Sequence, residues 1–253
     1  MSGLLIRLAA PLQAWGDHST FTRRDTGPYP TRSGLIGLIA AAAGRRRGDP
    51  IDDLSPLEFT VRVDRPGAPT RDFHTVGGGL PPARTVPTAE GRRRPAGTAT
   101  IVSHRYYLAD AVFTVAAAGP DHVVVLAADA LSRPTWGPYL GRRSCPAEAP
   151  LLLRWPLDDP VAELRTKVPI ARRPPRGQNT VTVQFVYQTP PAGADQAARH
   201  TLNDLPVDFH PLRRRYLGRD VYVVDAALPA DLCVGFGVGY LSALHDYLQE
   251  VRP

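Results

Sequence analysis

The chain has 253 residues, of which 43% are hydrophobic, enough to bury the core of one large globular domain. No apolar stretch reaches the length of about 18 residues that a membrane-spanning helix needs, and the first residues lack the features of a signal peptide. The two cysteines, Cys145 and Cys233, lack the spacing of a zinc site or a disulfide framework. We therefore expect a cytoplasmic protein with no membrane association, no metal and no cofactor.

The charged residues point to a polyanionic partner. Thirty basic residues against twenty-four acidic ones give a net charge of +6, and Lys167 is the single lysine among the arginines. Arginines cluster, with few or no acids, at residues 77–105, 133–143, 165–176 and 213–219. Such clusters are typical of phosphate binding, although a solvated surface is the alternative. Because aromatic residues are interleaved with them, we favour nucleic acid.

The apolar pattern predicts nine elements. In chain order they are a strand at residues 3–9, a helix at 35–43, strands at 57–64 and 104–116, a helix at 121–131, strands at 151–155, 180–187 and 221–224, and a helix at 241–251. Thr31 or Ser33 can cap the first helix, and Gly44 can end it. The β-α-β-β-α-β order predicts an α+β fold, a ferredoxin-like or RNA-recognition-type antiparallel sheet with helices on one face.

A polar excursion interrupts this pattern. Residues 77–103 are rich in Gly, Pro, Thr and Arg and hold almost no core-forming side chains. A long loop of this kind inside a compact domain is typically functional. We expect a protruding hairpin arm that becomes ordered against a partner. The whole chain, 1–253, is predicted to be a single domain. Residues 151–253 are its C-terminal continuation, in which the sequence indicates the secondary structure less clearly.

Two groups of residues are candidates for contact with RNA. Residues 138–146 combine turn residues with a hydroxyl and the tandem Arg142–Arg143, which suits a bent single strand because guanidinium groups bind phosphates and stack on bases. A basic surface turn is the alternative. On the strand at 104–116, Arg105 and Tyr107 share one face and can form a stacking platform, with His104 and Tyr106 on the other.

The start of the first helix is a candidate anion site. Thr31, Arg32 and Ser33 offer hydroxyls, a guanidinium and the free N–H groups of a helix N-terminus, although ordinary capping explains the hydroxyls equally well. Gln13 and Trp15 lie in the loop after the first strand. Trp15 can stack on a base, or it can simply be a packing residue.

Two further features of the sequence indicate a function only weakly. His74 and His104 flank the excursion at its two feet, where a ribonuclease could keep an acid–base histidine, although single histidines are more often structural. The glycine-rich run at 235–239 lacks the spacing of a dinucleotide-binding fingerprint. It is better suited to letting the backbone approach another strand or a phosphate closely.

Four segments in series resemble a known family. Residues 5–16, 29–38, 71–76 and 139–146 closely resemble the CasD family, subunits of the type I-E CRISPR Cascade surveillance complex within the RAMP superfamily. The resemblance implies a ferredoxin-like fold with a protruding thumb and a non-catalytic subunit that holds the 5′ handle of the guide RNA in antiviral defence. It also implies neighbouring backbone and large subunits as partners, with target DNA close by.

The resemblance assigns roles to several residues. It places Arg105 at the foot of the thumb, in contact with handle RNA, and Arg142–Arg143 in a loop that faces the handle. Thr31, Arg32 and Ser33 complete the expected phosphate contacts, and Gln13, Trp15 and Tyr107 are the expected base contacts. Related subunits of another CRISPR subtype cut repeat RNA without metal, so a metal-independent endonuclease is the alternative. Lys167, the single lysine, lies outside the matching segments, which argues against cutting.

Overall fold

A computed structural model of the chain describes residues 2–17, 22–88, 90–193, 197–210 and 214–250. The helices in this part of the chain are α1 (Arg32–Ala42), α2 (Asp121–Ser132), α3 (Pro160–Thr166) and α4 (Gly237–Gln249). The strands are β1 (Ser2–Ala9), β2 (Leu12–Gln13), β3 (Arg23–Arg24), β4 (Glu58–Arg65), β5 (Ala68–Val76), β6 (Ile101–Ala109), β7 (Val112–Gly119), β8 (Leu152–Leu157), β9 (Thr180–Tyr187), β10 (Ala198–Asp208) and β11 (Arg215–Pro229). None of these helices is long and apolar enough to cross a membrane.

Two sheets organise the molecule. The larger has seven strands in the order β10-β11-β9-β4-β7-β1-β8, and all neighbouring pairs in it are antiparallel. The smaller contains β2, β3, β5 and β6, with β6 pairing to each of the others. The expected α+β architecture with a large antiparallel sheet is therefore confirmed.

Helices cover both faces of the large sheet, so the prediction that they lie on one face is wrong. Leu4, Ile6 and Leu8 of β1 pack in one core cluster together with the apolar side chains of α1 and α2. Leu5 and Ala9 point the other way, into a second cluster with α3 and α4. The physical reason is visible in β1, which is buried on both sides and so must be covered on both.

The elements predicted in the first half lie close to their observed positions, with one break, whereas strands β2, β3 and β5 were not predicted. The strand predicted at 104–116 is split into β6 and β7 at Asp110, whose φ is +57°. On the partner strand, β4 gives way to β5 at Gly67, where φ is +75° and a Cβ would lie 2.6 Å from the Ala109 carbonyl oxygen. The two breaks lie side by side. The β5–β6 pair therefore continues the β4–β7 pair beyond these breaks, within the smaller sheet that also contains β2 and β3, and we call it the β5–β6 arm.

The second half was predicted less completely. Strand β9 was predicted at its observed bounds, whereas the strand predicted at 221–224 is the middle of the 15-residue β11. Strand β10 and the short helix α3 were missed. Helix α4 begins four residues earlier than the predicted helix, whose last position, 251, lies outside the described residues.

Both predicted ends of α1 are confirmed. The Thr31 hydroxyl accepts from the Gly34 amide at 3.3 Å, as an N-cap does. At the other end, Gly44 has a φ of +76°, and its amide and that of Arg45 donate back to the carbonyl oxygens of Ala41 and Ala40. This is the glycine-ended pattern that satisfies the last carbonyls of a helix.

A fully buried arginine joins the sheet to α3. The Arg62 guanidinium of β4 is bound by both carboxylate oxygens of Asp64, at 2.6 and 3.1 Å. Its remaining N–H groups donate to carbonyl oxygens at the end of α3 and just beyond it, those of Leu164, Val168 and Pro169. Thr114 of β7 donates to Asp64 at 2.6 Å. Every donor of the guanidinium therefore has an acceptor, which is the condition for burying a charge.

Helix α4 is anchored by a second internal network. Arg154 of β8 donates to the Glu163 carboxylate and to the Tyr247 carbonyl oxygen, and the Tyr247 hydroxyl donates to Glu163 at 3.1 Å. Burial, together with the Glu163 carboxylate, raises the pKa of Tyr247 well above its usual range. The phenol therefore stays protonated and keeps donating.

Replacing Arg62 with methionine should be severely destabilising, because it leaves Asp64 buried without its counter-charge. We expect Arg62→Met to lower the free energy of unfolding by about 3–5 kcal/mol. Arg215→Met is the control, because Arg215 forms its ion pair with Asp208 at the surface, where a pair contributes less than about 1 kcal/mol. Urea unfolding of both variants measures the difference, and equal losses would contradict a structural role for the buried pair.

Candidate nucleic-acid interface

The tandem-arginine loop packs against the segment that follows β1. The Ala14 amide donates to the Leu140 carbonyl oxygen at 3.2 Å, and the Cys145 amide closes the turn on the Arg142 carbonyl oxygen at 2.8 Å. At Gly141 φ is +82°, and a Cβ would lie 1.6 Å from the Ala14 carbonyl oxygen. The close approach of the two segments therefore requires glycine at this position.

Arg142 ties three segments together at the root of the β5–β6 arm. One of its nitrogens donates to the Tyr106 carbonyl oxygen at 3.0 Å, and the other donates to those of Arg24 and Asp25 at 3.0 and 3.1 Å. Its guanidinium lies 4.6 Å from the centre of the Tyr107 ring. Arg142 is thus half-buried and holds the root of the arm in position. Only part of its guanidinium group remains accessible to a ligand.

Three more arginines surround this root. Strand β3 runs parallel to β6 and places Arg24 beside Arg105, while Arg143 follows Arg142 directly and is exposed. Arg105 is half-buried opposite Asp72 of β5, and its Nε has no hydrogen-bond partner. The root of the arm therefore concentrates positive charge with donor capacity to spare, which suits phosphate oxygens.

One face of the arm carries aromatic rings, of which Phe73 is exposed and His104 and Tyr106 are half-buried. Phe73 of β5 is 63% exposed and lies opposite His104 of β6, with the two ring centres 5.7 Å apart. Tyr106 is two residues further along the same face, opposite Arg71, and the Arg23 guanidinium lies 5.2 Å from its ring centre. Exposed rings flanked by guanidinium groups can stack on unpaired bases.

The tip of the arm, residues 77–100, is held by a few backbone contacts. Short 3-10 turns lie at Pro82–Arg84 and Ala96–Thr98, and a bridge pairs Pro87 with Arg93. The buried hydroxyl of Thr85 donates to the Arg94 carbonyl oxygen at 2.7 Å. Position 89 lies outside the described residues. The tip is thus a polar turn with little apolar packing of its own.

The structure gives three of the predicted base contacts an internal role. Gln13 is fully buried and donates to the carbonyl oxygens of Leu8 and Ala111, and it accepts from the Trp15 indole at 3.0 Å. Trp15 is 1% exposed, and a Cβ on Gly34 would lie 2.8 Å from its ring. Tyr107 is buried beneath Arg142. None of the three offers a ring face or polar edge to a base in this arrangement.

The anion site predicted at the start of α1 is occupied from within the chain. The Asp204 carboxylate of β10 accepts from the Arg32 amide at 2.6 Å, and Arg219 of β11 binds the same carboxylate at 2.6 and 2.8 Å. Thr31 is buried as the cap, while Ser33 is half-exposed with its hydroxyl 3.4 Å from that of Thr31. The chemistry was predicted correctly in kind, but the anion is a carboxylate of the protein.

The side chain of Arg32 is also used internally. It donates to the carbonyl oxygens of Leu57 and Ser55 and to the Gln188 side chain at 2.6, 2.7 and 2.9 Å. Burial lowers the pKa of this guanidinium, and the nearby Arg219 charge lowers it further. Arg32 is therefore a clamp between α1 and the start of β4, and the structure leaves little of it for RNA. In the last predicted arginine cluster, Arg213 lies outside the described residues.

The sequence predicts a stacking platform on the face of β6 that carries Arg105 and Tyr107, and the structure buries Tyr107 on that face beneath Arg142. Alternation correctly separated Arg105 and Tyr107 from His104 and Tyr106, but it could not show which face was covered. The missed signal is Phe73, an aromatic residue within the polar strand β5. An exposed ring in a polar strand is informative where a ring in an apolar strand is not.

Comparisons with known proteins agree on one family. A model of the family described as CRISPR-associated protein (Cas_Cas5) matches residues 3–222. The chain is 40% identical over 166 residues to the CRISPR system Cascade subunit CasD of Escherichia coli (strain K12), a match that spans 60% of this chain and 70% of that protein. A chain in the solved structure of a CRISPR RNA-guided surveillance complex is 51% identical, with a TM-score of 0.88 over 98% of this chain and 100% of that one. A solved Cas protein is 29% identical, with a TM-score of 0.60 over 93% of this chain and 98% of that one.

Substituting Gly141 should loosen the root of the arm. Gly141→Ala places a methyl group against the Ala14 carbonyl oxygen and strains a positive φ, so we expect a loss of about 2 kcal/mol or more in the free energy of unfolding. Gly137→Ala in the same connection is the control, because a Cβ there meets nothing within 4 Å, and it should be neutral within about 0.5 kcal/mol. Thermal unfolding compares the two, and a neutral Gly141→Ala would mean that the two segments do not pack as described.

Proposed function

This chain belongs to the CRISPR-associated protein (Cas_Cas5) family, and we propose that it is a non-catalytic subunit of a Cascade complex that holds the 5′ handle of the guide RNA. The observation that carries the proposal is the root of the β5–β6 arm, where a concentration of arginines adjoins an exposed aromatic face. A single-stranded handle presents phosphates and unstacked bases together, and such a strand needs both kinds of contact.

Each accessible group at the root has a role in this proposal. The exposed Arg143 and Arg24 bind phosphates, and the half-buried Arg105 adds positive charge beside them. Arg142 contributes charge while holding the segments in place. Phe73 and Tyr106 stack on bases that the strand displays outward. Among the residues at the start of α1, Ser33 keeps exposed surface for a phosphate, whereas Thr31 and Arg32 support it from beneath.

The architecture supports the same assignment. Strands β4, β7, β1 and β8 lie in that order, and with α1 and α2 they follow a β-α-β-β-α-β sequence. We propose that this unit is ferredoxin-like and that the β5–β6 arm with its tip at 77–100 is a thumb. The tip would then pack against a neighbouring backbone subunit, with the large subunit and target DNA close by, in the cytoplasm.

An endonuclease is the second candidate function, and the pair formed by His74 and Asp72 favours it. The His74 Nδ1 lies 3.3 Å from the Asp72 carboxylate, and Asp72 is opposite Arg105 on the neighbouring strand. A histidine oriented by a carboxylate beside a guanidinium is the arrangement that metal-independent cleavage of RNA uses. Lys167, by contrast, pairs with Glu163 at 3.0 Å beside the end of α3, so the one lysine does not lie at the arm.

Removing one phosphate contact should change the salt dependence of binding. We expect Arg143→Ala to weaken binding of a repeat-derived guide RNA modestly and to reduce the slope of log K against log salt by about one unit. Arg199→Ala on β10 is the matched control, because it removes the same charge from a surface pair with Asp220. Filter binding across a salt series measures both, and an unchanged slope for Arg143→Ala would remove that loop from the interface.

Removing the exposed ring should weaken binding without altering the slope. We expect Phe73→Ala to cost about 1–3 kcal/mol of binding free energy, because a base loses its stacking partner, while Phe73→Tyr keeps the ring and stays near the parent value. The same assay measures both variants. If the two bind equally, the aromatic face does not touch the RNA.

The two candidate functions separate in one experiment. The purified chain is incubated with labelled guide precursor in chelator, and the products are run on native and denaturing gels. A shifted but intact RNA supports the handle-binding subunit. Cleavage at one position that is lost in His74→Ala would replace it with the endonuclease.

A further inference from the structure

The start of α4 presents an apolar surface that the proposed RNA interface does not use. Phe236, Val238 and Leu241 are 44%, 84% and 46% exposed, and Val238 is the most exposed large hydrophobic side chain among the described residues. At Gly235 and Gly237 a Cβ would meet nothing within 4 Å. The Gly235 amide donates to the Arg172 carbonyl oxygen at 2.9 Å, so this end of the run is tied to the preceding loop. The side on which a Cβ would lie at Gly235 and Gly237 is open to a partner. We call Phe236, Val238 and Leu241, with the glycines between them, the α4 patch.

The opposite face of α4 holds the helix firmly in place. Tyr240, Leu244 and Tyr247 are buried in the second core cluster, and Arg7 donates to the Tyr240 hydroxyl at 3.3 Å. Because these side chains fix the rotation of the helix, Val238 and Leu241 cannot turn inward. The α4 patch is a preformed surface, and docking on it would require little ordering of this chain.

Positive charge and hydrogen-bond donors border the α4 patch. The guanidinium groups of Arg65 and Arg173 lie 5.2 and 5.8 Å from the Phe236 ring centre, and Arg176 is exposed on the same loop as Arg173. The buried Nε of Arg65 has no hydrogen-bond partner. Asp231, in the 3-10 turn just before, is the nearest acidic residue in sequence. The border is therefore positively charged, and the exposed Arg173 and Arg176 can meet carboxylates of a partner.

The first turn of α4 adds further donors. The 13-residue helix has no side-chain cap at Phe236 and no acidic residue in its first turn. Its N-terminal amides and the positive end of its dipole thus face the same region as Arg65 and Arg173. A carboxylate brought by a partner would satisfy them and the arginines together.

The chemistry of the α4 patch fits a protein better than a nucleic acid. Val238 and Leu241 are aliphatic and offer no ring on which a base can stack, and the Phe236 ring already carries two guanidinium groups. An apolar centre with an arginine border is instead the usual anatomy of a protein–protein interface. Complementarity requires a segment with apolar side chains to meet Val238 and carboxylates to meet the border.

We propose that the α4 patch docks an acidic, apolar segment of a neighbouring protein subunit. This inference rests on the proposed function, since it assumes that the chain assembles with other subunits. It adds a contact surface that lies beyond residue 222, where the family match ends. The α4 patch and the arm would thus face two different partners, a protein at one and RNA at the other.

The test measures assembly and RNA binding separately. The other purified subunits of the chain's own complex are immobilised with guide RNA, and binding of the full chain is titrated for the parent and for Val238→Ser, Leu241→Ser and Arg173→Glu. Val125→Ser on α2 is the matched control, an apolar side chain outside the α4 patch that is 42% exposed, close to the 46% of Leu241. Guide-RNA affinity of each isolated variant is measured in parallel, with thermal unfolding to verify that all of them fold.

Each outcome decides the matter. We expect the three patch variants to bind the immobilised subunits about tenfold more weakly or worse, with Val125→Ser and all RNA affinities unchanged. Parent-like assembly of all three variants would overturn this inference and leave the proposed function intact. A parallel fall in RNA affinity would show a nucleic-acid surface and overturn it as well. A parent chain that joins no subunits would overturn the proposed function, and this inference with it.

Discussion

The burial of Arg62 is the constraint around which the rest of the molecule is arranged. A guanidinium without access to water is tolerated only when all of its N–H groups are bound, and here a carboxylate and three carbonyl oxygens bind them. Those acceptors come from β4 itself and from the end of α3 and the residues after it. The bond pattern therefore fixes the sheet against the α3 layer. Asp64 is the last residue but one of β4, so the Arg62–Asp64 pair lies just before the point where the chain enters the arm.

The arginines of this chain have two different roles. Arg62, Arg154 and Arg32 are internal crosslinks, each bound to backbone carbonyl oxygens far away in sequence. Arg143 is exposed, and Arg105 keeps a donor without a partner. The first kind holds α1, α3 and α4 in place, and the exposed Arg143 of the second kind is available to a ligand. Rigidity at the root matters because phosphate contacts that are already in position require no ordering when the RNA arrives.

The order and bounds of the first-half elements could be predicted because the apolar alternation there is strong and Thr31 and Gly44 mark the helix ends. The cover on both sheet faces could not be predicted, because α3 is short and β1 shows only that it is buried. For the candidate site, Arg105 and Arg143 were chosen on charge, and the structure leaves both accessible. Gln13 and Trp15 were not distinguishable by residue type from surface groups, since only their burial decides their use.

The ion pair at the start of α1 has a consequence for the order in which the protein can form. The Arg32 amide donates to a carboxylate 172 residues further along the chain. The Arg62 guanidinium donates to carbonyl oxygens more than 100 residues away. A nascent chain leaving the ribosome exposes both arginines and their apolar neighbours long before those acceptors are synthesised. The native contacts of both arginines can therefore be completed only after most of the chain has been synthesised, as for any contact of high sequence separation.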